Sequence, residues 1–337
     1  MNYSRFSPLK LRINKTLKNR VVVPPMASET ATHLGFVTEQ TLSHYQRLAE
    51  SKAGLVMVEY TFVDKSGRSE EFQLGLNQDS QVEGLSKIAH IIHEKGSMAG
   101  IQLTHGGGKS NRDLTDGFLM TPSAIRVPVK EQTLDVGDEM SLEQIALWKK
   151  SFVEASKRAH KAGFDLIELH AAHGYGLNQW LSPITNKRTD EYGQDQKGRM
   201  KLLLEIISLI QESVPGLLLA VRMPGQDFLE GGLTLKDSLN LAQELEKRGV
   251  DIIDISSGIG GWRRPRDRSG EGYLTHEASF IQKNISLPVI GVGGIESGVF
   301  IDQALAKKNF SLAAVGRAIL KNPKQWGELN LTTQELT

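Results

Sequence analysis

The chain contains no cysteine. That absence excludes disulfides, a thiolate nucleophile and a cysteine-ligated iron–sulfur cluster. An excess of either charge is missing too, since 40 basic and 39 acidic residues leave a net charge of +1. No global field therefore draws the molecule to nucleic acid or to an anionic membrane. No apolar run approaches the ~18 residues of a membrane helix, and the stretch from Met1 to Arg12 lacks the apolar centre of a secretory signal. These absences point to a cytoplasmic protein. A GxGxxG turn after the first strand is also lacking, which argues against a dinucleotide-binding open sheet. No Ser/Gly/Pro-rich linker divides the chain, so residues 1–337 read as one domain with insertions.

What is present is alternation. Short apolar or β-branched runs recur at 21–25, 55–59, 99–103, 165–170, 217–222, 251–256, 289–292 and 312–315. Amphipathic stretches such as 142–162, 200–214 and 235–248 lie between them, the last with Leu235, Leu239, Leu241, Ala242 and Leu245 on one face. Strand–helix alternation repeated eight times predicts an α/β chain closed into a (β/α)8 TIM barrel. Gly54, Gly163 and Gly249 each precede a strand and are predicted to end helices at positive φ. Three strand-to-helix connections are long, 104–141, 171–196 and 257–275, and all leave the edge where barrels build their sites.

Two glycine-bearing strand ends stand out near the C-terminus. Val289-Ile290-Gly291-Val292-Gly293-Gly294-Ile295 closes the seventh strand, and Ala313-Ala314-Val315-Gly316-Arg317-Ala318 closes the eighth. Barrels commonly hold a phosphate there: glycines admit the anion to backbone N–H groups, and the following helix adds its N-terminal dipole. Arg317 can add a charge-assisted contact.

The richest stretch is His170-Ala171-Ala172-His173-Gly174-Tyr175. It continues through Asn178-Gln179, Leu181-Ser182-Pro183, Asn186, Arg188 and Asp190 to Tyr192-Gly193. It follows the buried-strand run Asp165-Leu166-Ile167-Glu168-Leu169, so two imidazoles and a phenol sit just past a strand's C-terminal end. As neutral donors the imidazoles can grip a carbonyl or nitro oxygen, and the phenol can deliver a proton. Paired histidines also suit a metal, and His105 at the third strand's end offers a third ligand for a zinc-type hydrolase barrel. Such barrels usually carry the pair on the first strand, which here ends in Pro24-Pro25-Met26.

Across residues 170–193 the segment resembles the signature of the Old Yellow Enzyme family of FMN-dependent ene-reductases. The resemblance extends to Asn19-Arg20-Val21-Val22-Val23-Pro24-Pro25-Met26, to Glu59-Tyr60, to Gly100-Ile101-Gln102-Leu103 and to Ala220-Val221-Arg222. It implies that Pro25, Met26, Ala27 and Tyr60 border the flavin, that Gln102 pairs with its pyrimidine edge and that Arg222 lies beside N1. Gly293, Gly294, Gly316 and Arg317 then hold its phosphate, and residues 14–20 resemble the hairpin that plugs the barrel floor. The resemblance further implies NADPH or NADH as reductant and an electrophilic alkene as acceptor: an enone, nitroalkene or maleimide, with nitro compounds and quinones as further options. His170 and His173 polarise its oxygen and Tyr175 supplies the proton, in a ping-pong cycle. It carries no nucleic acid or membrane partner, and it leaves a homo-oligomer open. A dihydroorotate-type flavin dehydrogenase is a second option, but that type uses a cysteine or serine base and lacks His-x-x-His-Gly-Tyr.

This chain departs from the family pattern in places. Ala27 stands where relatives carry cysteine or threonine, Tyr60 where many carry alanine, and Gly176 and Gln194 where leucine and glycine are commoner. The arginine-rich run Arg263-Arg264-Pro265-Arg266-Asp267-Arg268 after the sixth strand reads as a solvated loop, or as a grip for the 2′-phosphate of NADPH.

Overall fold

Residues 3–130 and 132–332 are described by the structure, a computed structural model. Eight parallel strands close into a barrel. We number them β1 (Val21–Val23), β2 (Leu55–Phe62), β3 (Met98–Thr104), β4 (Leu166–His170), β5 (Leu218–Pro224), β6 (Ile252–Ser256), β7 (Val289–Gly291) and β8 (Leu312–Ala314). Each coincides with a strand expected from the sequence. Pro24 and Pro25 have no N–H to give to the ladder, so β1 stops at Val23. β2 runs beyond the expected Glu59 to Phe62, through a register shift between Val58 and Thr61.

Side-chain parity explains both the core and the site. Val22, Leu55, Met57, Met98, Leu166, Leu218, Ala220, Ile252, Ile290, Leu312 and Ala314 form one buried cluster inside the barrel. Val21, Val56, Ala99, Ile101, Ile167, Leu219 and Ile253, at the alternate positions, pack outward under the helices. Continuing the inward parity toward the C-terminal edge reaches Gln102, Glu168, His170, Arg222, Asp254 and Ser256. The barrel is thus filled with hydrocarbon below and polar groups above.

Helices cover the outside for reasons visible in their sequence. The helix Leu142–Lys161 starts at Ser141, whose hydroxyl accepts from Gln144 N while the Gln144 side chain returns to Ser141 N. It buries Ile145, Trp148, Phe152, Ala155 and Ala159 along one stripe and ends before Gly163, at φ +89°. Gly249 likewise has φ +71°. Gly54 does not: Lys52 takes the left-handed turn instead, and a Cβ on Gly54 would lie 2.4 Å from the Asn19 carbonyl. Close approach, not a helix end, requires that glycine.

The floor hairpin is present but earlier than expected. Its strands are Leu9–Lys10 and Thr16–Leu17, with the turn at Ile13 and Asn14, so residues 14–20 capture only its second half. Leu17 is fully buried against the interior cluster. Among the described residues no helix is long and apolar enough to cross a membrane.

Candidate active site

One cavity of about 810 Å³ opens at the C-terminal edge of the barrel. Pro25, Met26, Ala27, Tyr60, Gln102, His170, His173, Tyr175, Arg222, Gly294, Gly316 and Arg317 all line it, so residues from seven strand ends meet there. Of the flavin and substrate residues expected from the sequence, only Gly293 stands outside the wall. Tyr273 N donates to the Gly293 carbonyl at 3.0 Å, and a Cβ there would come within 2.9 Å of the Tyr273 and Leu274 nitrogens. Gly293 lets the 257–275 loop cross.

Strand register assembles the interior polar layer. Gln102 is paired with Glu168 across β3 and β4, His170 with Arg222 across β4 and β5, and Arg222 with Asp254 across β5 and β6. Gln102 Nε2 donates to Glu168 Oε1 at 2.8 Å, and Arg222 Nε lies 3.3 Å from Asp254 Oδ2. The carboxylate beside Arg222 is therefore Asp254. Asp227, the neighbour nearer in sequence, instead accepts from Ser182 Oγ, Leu233 N and Ile259 N. Two wholly interior carboxyls thus face one guanidinium. Burial and the nearby Asp254 charge push Glu168 well above the usual carboxylate range. Burial raises Asp254 too, with Arg222 pulling against it. A proton on Glu168 supplies the donor that Glu168 Oε2 and Asp254 Oδ1 lack as a fully ionised pair.

Above this layer the His170 and His173 rings lie 5.1 Å apart and nearly perpendicular. Burial lowers both pKa values well below the usual 6.5, and Arg222 adds to the shift in each. Both imidazoles are therefore neutral at physiological pH, each with one N–H to donate. His173 Nε2 is 2.6 Å from Ser256 Oγ, while His170 Nδ1 is buried without a partner. A left-handed turn at His173 (φ +58°) and Gly174 (φ +74°) brings Tyr175 back over the pair. Its ring centroid is 4.7 Å from that of His170, and the Lys109 ammonium sits 4.1 Å from the Tyr175 ring centre. Lys109 Nζ also donates to the His173 carbonyl, so it fastens the turn.

The second half of the signature builds the support. Gln179 bonds to Gly106 O, Gly108 N and Gly174 O, locking the loop after β3 to the histidine turn. Asn186 bonds to the Trp180 and Tyr192 carbonyls, and Arg188 bonds to Asp190 and the Met140 carbonyl. Glu59 does the same for the first wall. Its carboxylate accepts from Ser28 N, Ser28 Oγ and Tyr45 Oη, tying the Met26-Ala27 segment to β2. Tyr60 points into the cavity and packs against Tyr175 at 5.5 Å between ring centres, so it crowds the Tyr175 side.

His105 is elsewhere. Its Nδ1 accepts from Gly107 N, its Nε2 lies 3.1 Å from Ser66 Oγ, and its ring meets the Trp148 edge. Among the described residues no cluster of three or more His, Asp or Glu is arranged to hold a metal. The zinc-type triad is not assembled. The expected helix-dipole contribution to anion binding also changes. The helix Gly298–Ala306, after β7, already has Glu271 accepting from Glu296 N and Ser297 N. Gly294, Gly316 and Arg317 line the cavity, and Arg317 has no ion pair or hydrogen bond among the described residues.

A family model described as NADH:flavin oxidoreductase / NADH oxidase matches residues 4–330. The chain belongs to this family. It is accordingly a flavin-dependent oxidoreductase, and the family implies FMN. Among solved structures it is similar to the Old Yellow Enzyme from Pichia sp. AKU4542, at 28% identity and a TM-score of 0.82, covering 97% of this chain and 86% of that one. It is also similar to morphinone reductase in complex with tetrahydroNAD, at 25% identity and a TM-score of 0.82, over 98% and 91% of the two chains. Its fold matches 2-naphthoyl-CoA reductase with a TM-score of 0.88 at 23% identity, covering 97% of this chain and 52% of the other. The chain thus spans about half the length of that reductase.

The residues present fit FMN. Arg222 Nε is buried without a hydrogen-bond partner, Arg317 is unpaired among the described residues, and Gly316 leaves space that a Cβ would close onto Met26 Sδ at 3.3 Å. A flat polar ring bearing a phosphate tail suits a cavity with fixed donors at one end and glycines with an arginine at the other.

Proposed function

We propose that the protein is an FMN-dependent NAD(P)H oxidoreductase that reduces activated C=C bonds, and that the whole chain acts as one FMN-binding barrel. The observation that carries this reading is the buried, neutral pair His170 and His173 beneath Tyr175, in the same cavity as Arg222 and Arg317. Pro25, Met26, Ala27, Tyr60 and Gln102 would border FMN, Arg222 would lie beside its pyrimidine edge, and Gly294, Gly316 and Arg317 would hold its phosphate. FMN, when bound, supplies the hydride.

The chain's own residues do the rest. His170 and His173 donate to the acceptor's carbonyl or nitro oxygen, and their bonds strengthen as negative charge grows there. Because both rings stay neutral, neither loses a proton to that oxygen outright. Tyr175 holds its proton at Oη and delivers it to the α-carbon. Lys109, against the Tyr175 ring, keeps the phenol in place. Arg222 stabilises negative charge arriving beside it, while the Glu168–Asp254 pair keeps that cation inside the barrel. With one cavity for both, reductant and acceptor enter in turn, which is a ping-pong cycle.

The test is an absorbance spectrum of the purified protein, identification of the released chromophore, and anaerobic addition of NADPH and then cyclohexenone. The proposal expects a yellow protein releasing FMN, bleached by the first addition and recoloured by the second. A colourless protein whose activity follows zinc content would overturn it.

A further inference from the structure

The arginine-rich run after β6 plays no part in the chemistry described above. Its flanks are pinned. Ile259 N donates to Asp227 Oδ1 at 2.8 Å, and Lys130 N to Gly260 O at 3.1 Å. On the far side Arg268 Nη2 reaches Glu277 Oε1 at 2.9 Å. Between these anchors the chain projects at the rim of the cavity. Trp262 is 59% exposed, and it and Arg264 both line the opening. Arg264 and Arg266 are exposed, and among the described residues neither makes an ion pair or hydrogen bond. The acid within the run, Asp267, lies 3.6 Å from Arg268, the anchored arginine.

Two unpaired guanidiniums next to an exposed indole are a specific chemistry. A guanidinium matches a phosphate monoester two N–H groups at a time, and an indole face takes a stacked base. On the proposed function the cavity would take flavin and the reacting end of a second ligand, so only a long ligand would have a tail at this rim. The wall also carries acids, Glu29, Glu70 and Glu296, and neither Arg264 nor Arg266 is paired with any of them.

We infer that the 262–266 rim is a binding arm for the phosphomonoester-bearing adenosine end of a ligand whose other end reaches His170 and His173. This rests on the proposed function for the histidine end only. The shared chemistry has two sources, the 2′-phosphate of NADPH or the 3′-phosphate of a coenzyme A thioester acceptor.

The experiment uses the flavin-loaded protein and its Arg264→Ala/Arg266→Ala variant, titrated calorimetrically with adenosine 2′,5′-bisphosphate, adenosine 3′,5′-bisphosphate and AMP. The parent should prefer one bisphosphate to AMP, and the variant should lose about tenfold or more of that preference while AMP binding holds. Trp262→Ala should weaken all three probes together. Preference for the 2′ isomer, with a matching loss in NADPH affinity and none in NADH affinity, assigns the arm to the reductant. Preference for the 3′ isomer, with a selective loss for an unsaturated coenzyme A thioester against its ethyl ester, assigns it to the acceptor. A parent that binds neither bisphosphate better than AMP, or a variant that keeps the preference, overturns the inference. Failure of the proposed function shows separately, as a parent whose flavin neither NADPH nor NADH reduces.

Discussion

The two ends of this barrel treat buried charge in opposite ways. At the floor, Asp165 accepts from Lys15, His93 and Ala99 N, and burial is overcome so that its pKa falls to about 2. Asp251 there takes both Arg12 Nε and Nη2, together with Leu219 N. Each carboxylate oxygen has a partner within the chain. At the mouth, His170 Nδ1 and Arg222 Nε are buried and have no hydrogen-bond partner, although Arg222 keeps its ion pair with Asp254. Leaving such atoms unmade costs stability. The floor holds the fold together, and the mouth keeps directed polar atoms for a ligand to complete.

The largest effect that can break this contrast is removal of both histidines. His170→Ala/His173→Ala should abolish enone reduction and the long-wavelength band that a bound phenolate gives beside flavin, with the fold kept. The parent's pH profile sharpens the point. Both histidines have depressed pKa values, so they stay neutral as pH falls through 6.5, and enone affinity should remain level there. Binding that collapses near pH 6.5 would show ordinary, solvated imidazoles. The complementary floor variant, Leu17→Ala, should lower stability by about 2–5 kcal/mol. It should leave both half-reactions near parental rates, measured by denaturant titration and stopped flow.

Smaller effects follow at the cavity walls. Arg317→Ala should loosen FMN by about tenfold or more, the scale of a charge-assisted contact, read by ultrafiltration of released flavin. Unchanged retention would move the phosphate elsewhere. Ala27→Cys should produce the smallest change, a shift in flavin midpoint potential with altered relative half-reaction rates, because a weak S–H donor enters the flavin wall. A potential identical to the parent's would show that residue 27 does not touch the cofactor.

Much of this was legible in the chain because strand periodicity and strand-end residues are local properties. All eight barrel strands follow from them, while Pro25, Met26, Ala27, Tyr60, Gln102 and Arg222 stood out only through the resemblance to the Old Yellow Enzyme signature. Glu168, Asp254 and Ser256 were not singled out, although they share inward parity with His170 and Arg222. A carboxylate inside an apolar run looks like an outward exception until the register shows which strands flank it. Lys109 and Glu59 were hidden for another reason: their partners, the Tyr175 ring and Ser28, are brought to them by tertiary folding. Gly293 and Gly54 looked like turn glycines, but what each requires is a neighbouring backbone passing close by. The hairpin was displaced because its first strand has only two residues, too few to show a period.

Tyr175→Phe tests the central claim most directly. The Tyr175 ring packs on His170 and Tyr60, contacts that a phenylalanine ring keeps. In anaerobic stopped flow, flavin reduction by NADPH should proceed at close to the parental rate. Reoxidation by cyclohexenone should slow by about a hundredfold or more, the scale of a lost general acid, while reoxidation by a quinone is spared. Equal slowing of both half-reactions, or parental reoxidation by cyclohexenone, would contradict the account.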